Sequence, residues 1–433
     1  MEYWALVMFA VVIGLLLLGY PVAFTIGGVA LLFGLLFLGI GFLDLLPLRI
    51  WGIVTNFNLL AVPLFVLMGV VLERTGIARD MLETIGRLFG GLRGGMAVAV
   101  VVVGALLAAT TGVIGATVVA MGVIALPVML RHGYSPRLAS GTIVASGALG
   151  QIVPPSIVLI LLADVLGLSP GRLFMAAVAP GLILVLALIL FVLVVAWLRP
   201  QLAPPVDQGA RPTLGEVAAS LLPVLLLMAL VLGSILFGVA TPTEAAGLGA
   251  LGAIGLGLLR RRLKWVALDS ALRETLRLTA MVFFVLIGAT AFSLVFTGMG
   301  GDWLVHDLFE ALPGGQWGFL LLSMALLFVL GMFLDFIEIC FLVVPILGPV
   351  AVALGIDPLW FAVLIALNLQ TSFLTPPFGF ALFYLKAVAR DLEMATIYRG
   401  ALPFIALQLT VLGLVLAFPG LIHWLPGVLE RWH

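Results

Sequence analysis

Two Pro-Pro pairs, Pro154-Pro155 and Pro376-Pro377, stand 222 residues apart, each inside a long apolar run. A proline in a helix interior removes a backbone donor and clashes with the preceding turn, so two in succession break the helix and free polar backbone groups. At membrane depth such groups persist only where protein or a water-filled cavity covers them. The offset recurs elsewhere: Pro127 and Pro349, Gly133 and Gly355, and Pro136 and Pro358 are also 222 apart, and Pro21 and Pro242 are 221 apart. A chain punctuated twice in one register reads as two homologous halves, 1–199 and 217–425, joined by a polar, proline-bearing cytoplasmic linker at 200–216.

Hydrophobic residues form 64% of the chain and charged residues 9%, far below the ~25% charged of a soluble domain, so the fold expected is an all-α polytopic membrane protein. The 20 basic and 20 acidic residues cancel, and no basic cluster forms a nucleic-acid surface. The lone Cys340 excludes an internal disulfide, and the four histidines lack metal-ligand spacing. Neither a basic n-region nor a small-residue cleavage site precedes the first apolar run, which is therefore expected to stay as a span.

Runs of about 20 apolar residues, enough to cross a bilayer, lie near 4–19, 24–43, 51–73, 138–163 and 173–198, and again near 217–238, 241–259, 276–299, 359–385 and 400–422. Two further segments, 95–130 and 316–352, are interrupted midway by small or polar residues and read as re-entrant hairpins. The runs 138–163 and 359–385 contain the Pro-Pro pairs and read as broken helices. Arg74, Arg79, Arg87, Arg93, Arg131 and Arg137 flank the first hairpin, whereas 300–315 and 353–358, flanking the second, hold no Lys or Arg. Basic loops face the cytoplasm, so the halves are expected to run in opposite directions, the inverted repeat of secondary transporters with a site at the midplane. An amphipathic stretch precedes each hairpin: Ile77, Met81, Leu82, Ile85, Leu88 and Phe89 in one, Trp303, Leu304, Leu308 and Phe309 in the other. Each is either a helix in the headgroup layer or an arm bracing a moving core.

The chemistry is expected where helices break. A helix C-terminus presents carbonyls to a cation, and an N-terminus presents N–H groups to a carboxylate. Candidate cation ligands are the main chain near Gly150, Val153, Ser372 and Thr375, with hydroxyls of Thr110, Thr111 and Thr375. Gln151, Pro154, Pro155 and Ser156 at one break, and Thr371, Pro376 and Pro377 at the other, are the candidate substrate-binding residues. A membrane Ser or Thr alternatively bonds back to its own helix, and Gly112, Gly115, Gly331 and Gly379 alternatively allow close helix packing. Asp335, an acid inside a membrane segment, is either a cation ligand or the cap of the returning hairpin helix. Asp164 and Lys386, also 222 apart, read as snorkelling residues. Thr241-Pro-Thr-Glu244 fits a structural capping box.

The ordered motifs Ala61-Val-Pro-Leu-Phe-Val-Leu-Met-Gly69, Leu149-Gly-Gln-Ile-Val-Pro-Pro-Ser156, Thr241-Pro-Thr-Glu-Ala-Ala246, Gly331-Met-Phe-Leu-Asp335 and Leu374-Thr-Pro-Pro-Phe-Gly379 resemble the large membrane subunit of the tripartite ATP-independent periplasmic transporters. The resemblance implies a bacterial inner-membrane symporter, coupled to sodium rather than to a bound cofactor. It would take up an organic acid delivered by a soluble periplasmic binding protein. A separate small four-helix membrane subunit would accompany it, and hairpins and broken helices would slide together as an elevator. It further implies one sodium site at Thr111, Gly112, Gly150, Val153 and Pro155, and a second at Gly331, Ser372, Thr375 and Phe378. Val113 stands where the family commonly has a serine, which removes one side-chain oxygen from the first site. The threonine-rich tip resembles members that carry small monocarboxylates. A receptor-independent anion:sodium symporter of the same broad fold is the alternative. A membrane enzyme or scaffold lacks support, since no Ser/His/Asp set, metal cluster or nucleotide loop appears.

Overall fold

The computed structural model describes residues 2–112, 114–206, 210–310 and 313–429, which are helical with short connections. Seven helices among them are long and apolar enough to cross a membrane, and an eighth candidate is the pair Ile40–Val54 and Asn58–Arg74, bent by 55°. The arm Ile114–Arg131 of the first hairpin passes the test, whereas Glu2–Leu17 and Val22–Phe37, expected as spans, have only 16 residues each. At 1.5 Å per residue such helices reach about 24 Å, short of a ~30 Å hydrocarbon core. The run 51–73 is likewise not one helix, because the chain turns between Val54 and Asn58.

The central panel consists of Ala61–Arg74 against Trp265–Gly298, flanked by a reciprocal pair. Val22–Phe37 packs on Trp265–Gly298, and Pro242–Leu259 packs on Ala61–Arg74. Small residues let these helices approach: a Cβ on Gly288 would lie 2.7 Å from the Ala23 carbonyl oxygen, and one on Gly249 2.7 Å from Met68 Sδ. This is the close packing that drives helix association where lipid offers no hydrophobic gain. Capping boxes at Thr213/Glu216 and Thr241/Glu244 start Leu214–Leu236 and the Pro242–Leu259 helix on which it packs.

Beside the panel sit the two hairpins and the two broken helices. The first hairpin pairs Gly95–Thr111 with Ile114–Arg131, and the second pairs Gly315–Gly331 with the return Phe336–Ala353. The return contains a widened turn at Ile339–Val343 with i→i+5 character, a feature often found at functional sites. The broken helices are Pro136–Gln151 followed by Ile157–Val165, and Pro358–Ser372 followed by Phe380–Val388. Each second piece packs on the opposite half's hairpin. Phe380–Val388 lies on Ile114–Arg131, and Ile157–Val165 contacts the return Phe336–Ala353.

The helix Ile77–Phe89 buries Ile77, Met81, Leu82 and Ile85 against the first hairpin and Leu214–Leu236. Leu88, expected on the same face, is instead exposed, and Phe89 is half-buried. Asp80 ties this helix to Arg262 at 2.6 Å and Arg260 at 3.6 Å, which favours the bracing reading. Its counterpart Gly301–Glu310 differs: Trp303 and Leu308 are exposed and Leu304 is half-buried, while the Phe309 side chain lies outside the described residues. The linker is not a free tether. Gly94 N–H donates to Ala203 O at 3.0 Å, Val206 N–H to Gly90 O at 2.8 Å and Ser135 N–H to Leu202 O at 2.9 Å, so its first part lies along the base of the first hairpin.

Candidate functional site

The first hairpin turns at Gly112, whose φ of 60° suits a residue without a side chain and whose N–H closes the helix on Ala108 O at 2.9 Å. A Cβ there would meet Ile157 Cγ1 at 2.9 Å, so the tip rests on the start of the second helix piece. On the other side of the break a Cβ at Gly150 would lie 2.7 Å from the Ala108 carbonyl oxygen. Gly112, Gly150 and the Ala108 to Thr110 turn are thus brought together. Thr110 is buried and donates its hydroxyl to Leu107 O at 2.8 Å. The Thr111 side chain and Val113 lie outside the described residues.

The break itself is enclosed. Gln151, Pro154, Pro155 and Ser156 are buried, and Val153 is partly exposed. Ser156 donates to Gln151 O at 3.0 Å across the interruption, and Val153 N–H closes on Leu149 O at 2.9 Å. The peptide bond between the two prolines is cis here and also at Pro376-Pro377.

The second site has the same plan with the small residue exchanged. Ser372 stands 222 residues after Gly150, and Gly331 stands 222 after Ala109. Here the hairpin carries the glycine. A Cβ on Gly331 would overlap Ser372 Oγ and lie 2.9 Å from Ser372 Cβ. Phe333 of the tip packs on Phe378 of the break with ring centroids 5.4 Å apart. Thr371, Ser372 and Thr375 donate their hydroxyls to Leu367 O, Leu369 O and Thr371 O at 2.8, 2.8 and 2.9 Å. These are the back-bonds expected of membrane Ser and Thr. They do not exclude a cation, because each hydroxyl spends its one hydrogen on the helix and keeps its lone pairs. Asp335 accepts from Phe336 N–H at 2.8 Å as the cap of the returning helix, the geometry of the capping alternative.

The two breaks differ in access. Pro377 and Phe378 are exposed and Thr375 and Pro376 partly so, in contrast to the enclosed Pro154-Pro155. Tyr398, which sequence reasoning did not single out, donates its hydroxyl to Pro377 O at 2.6 Å. Three glutamines, Gln151, Gln370 and Gln408, are buried with amide atoms that find no partner among the described residues. Their elements pack on one another, and a lone Gln within the apolar run 400–422 was the signal for the third. Asp164 does not snorkel but accepts from Asn56 Nδ2 at 2.6 Å, joining a broken helix to the bend before Ala61–Arg74. Lys386 donates to the carbonyls of Arg390 and Leu392.

The chain is similar to known proteins along nearly its whole length. A family model described as "Tripartite ATP-independent periplasmic transporter, DctM component" matches residues 9–421. The C4-dicarboxylate TRAP transporter large permease protein DctM of Pseudomonas aeruginosa is 33% identical over 386 residues, covering 88% of this chain and 89% of that protein. The sialic acid TRAP transporter large permease protein SiaM of Vibrio cholerae is 32% identical over 415 residues, covering 96% of each. Among solved structures, the Alcanivorax borkumensis YdaH transporter superposes with a TM-score of 0.63 at 17% identity, covering 89% of this chain and 90% of that one, a likeness of fold. With its membrane-spanning helices and paired breaks, the chain belongs to the DctM family of tripartite ATP-independent periplasmic transporters, as a multi-pass permease of the bacterial inner membrane.

Proposed function

We propose that this permease couples sodium entry to uptake of an organic acid handed over by a periplasmic binding protein, together with a small membrane subunit. The observation that carries the reading is the seating of each hairpin tip on a broken helix, Gly112 and Ala108 against Ile157 and Gly150, and Gly331 against Ser372. Each junction gathers helix-end carbonyls, and the second adds hydroxyl oxygens whose hydrogens point to their own helix. Sodium takes hard oxygen ligands of this kind. The substrate carboxylate would meet N–H groups and the side chains of Gln151, Ser156 and Thr371 at the breaks beside the Pro-Pro pairs. Relatives named for a C4-dicarboxylate and for sialic acid support an acidic substrate.

The halves are read as inverted repeats, 1–199 and 217–425, with the basic loops inside. Reciprocal packing of the panel and of the broken helices supports this. Hairpins and broken helices form the moving body of an elevator, and the panel is its fixed wall. The exposed Pro377 and Phe378 beside the enclosed first break fit a body open on one side only.

The test is uptake into proteoliposomes holding this chain and its small subunit, with a binding protein outside. An inward sodium gradient should drive uptake only when the binding protein is present. Uptake indifferent to sodium would overturn the coupling, and unaided uptake would favour the receptor-independent alternative. Replacing Pro154 and Pro155 by Ala should abolish sodium-driven uptake by letting the helix continue through the break.

A further inference from the structure

At the end of the molecule carrying the linker, a cavity of about 680 Å³ opens between three elements: the start of Pro136–Gly147, the end of Pro170–Leu198 and the start of Met394–Ala417. Arg137, Arg199 and Arg399 all line it. They come from segments far apart in sequence, and none of the three guanidiniums has an ion-pair partner within 4.0 Å among the described residues. Two helices, of 12 and 24 residues, begin at its rim. Their N-cap residues, Ser135 and Glu393, make no side-chain capping bond, so first-turn N–H groups, other than that of Thr396, which donates to Glu393 O at 3.0 Å, are left for another acceptor, Pro136 having no N–H. The helices run side by side through a close contact in which a Cβ on Gly141 would collide with the Gly400 carbonyl. Their positive ends are therefore adjacent.

Asp391 and Glu393 also line the cavity and oppose an anion. Three guanidiniums and two helix ends of roughly half a charge each outweigh them by about two positive charges. Apart from Ser135 and Thr396, the rest of the wall is apolar. Phe191 and Phe404 meet edge to face with centroids 4.9 Å apart, and Leu198 at the rim is exposed next to the exposed Trp197. A tryptophan there marks the level of the membrane interface. A soluble anion would use the charges and leave this apolar wall wet, whereas a diacyl lipid uses both.

We infer that this cavity binds the headgroup of an anionic phospholipid, its phosphate on Arg137, Arg199 and Arg399 and its acyl chains along Phe191 and Leu198. The occupant clamps the seam between the first broken helix and Met394–Ala417. Placing it in the inner leaflet rests on the orientation proposed above, but binding in detergent does not, so the two can fail separately.

The experiment is native mass spectrometry and thermal unfolding of the delipidated full chain with its small subunit, after adding phosphatidylglycerol or phosphatidylcholine. Phosphatidylglycerol should be retained at least tenfold better and should raise the unfolding temperature. The triple variant Arg137→Gln, Arg199→Gln, Arg399→Gln should lose that preference. Glu393→Gln, which removes an opposing charge, should strengthen retention, and it stays informative if the triple variant fails to fold. Equal retention of both lipids, or a Glu393→Gln variant that binds more weakly, would overturn the site. Protection by inorganic phosphate equal to that by the lipid would overturn the lipid as occupant.

Discussion

Adding one methyl group at Gly331 tests whether the hairpin tip and the broken helix form one binding unit. The new Cβ would overlap Ser372 Oγ and lie 2.9 Å from Ser372 Cβ, while Leu369 Cδ2 at 3.5 Å would be an ordinary neighbour. The conflict is therefore with Ser372 alone, and it has two ways out. Ser372 is fully buried, and turning its hydroxyl aside breaks the 2.8 Å bond to Leu369 O, a loss of about 1 kcal/mol, or roughly fivefold in an equilibrium. Withdrawing the tip instead incurs the cost of overpacking, typically about 1–3 kcal/mol, or roughly 5- to 150-fold. Either way Gly331→Ala should raise the sodium concentration for half-maximal uptake at least about fivefold, and the upper range would mean that the tip has moved.

The partner variant separates packing from ligation. Gly331→Ala combined with Ser372→Gly frees room for the methyl by placing a glycine on the broken helix, as at the first junction, where Gly150 lies against Ala108. It should recover the unfolding temperature lost in Gly331→Ala. Sodium affinity should remain low, because the Ser372 oxygen is gone. Measured as a double-mutant cycle, stability and sodium response should therefore part company. If Gly331→Ala leaves both the unfolding temperature and the sodium response unchanged, the junction is not a binding unit and the site assignment fails.

Two further outcomes follow from contacts the sequence did not announce. Asn56→Ala leaves the half-buried Asp164 carboxylate without its 2.6 Å donor, and thermal unfolding should register a loss of about 1–3 kcal/mol. A change within error would mean that water replaces the amide. Gln408→Leu removes an amide with no protein partner among the described residues and should leave stability unchanged or raise it by about 1 kcal/mol. A marked loss in the same melting assay would show that the buried amide is hydrated.

Both breaks were legible because proline acts locally: the first pieces of the broken helices end at Gln151 and Ser372, just before each Pro-Pro. Both hairpin turns were legible from Gly112 and from Gly331 to Asp335. The junctions were not, since nothing near Gly331 in sequence names Ser372 as the residue it must clear. Periodicity also loses its usual meaning in a bilayer. Leu182, Leu186 and Leu190 form an exposed stripe on Pro170–Leu198, while Leu184 and Leu188 on the same helix are buried. Lipid and protein interior are both apolar, so hydrophobicity cannot tell one face from the other. For the same reason the bend before Asn58, inside the apolar run 51–73, passed unnoticed.

The exchange of helix pieces bears on how such a chain is assembled. The face of Ile114–Arg131 bearing Gly115 and Gly122 is covered by Tyr384, Leu385 and Val388, residues made more than 250 positions later. When the ribosome has finished the first half, that hairpin still lacks its cover. Two halves produced as separate polypeptides should therefore find each other in the membrane, because the second supplies the cover that the first lacks.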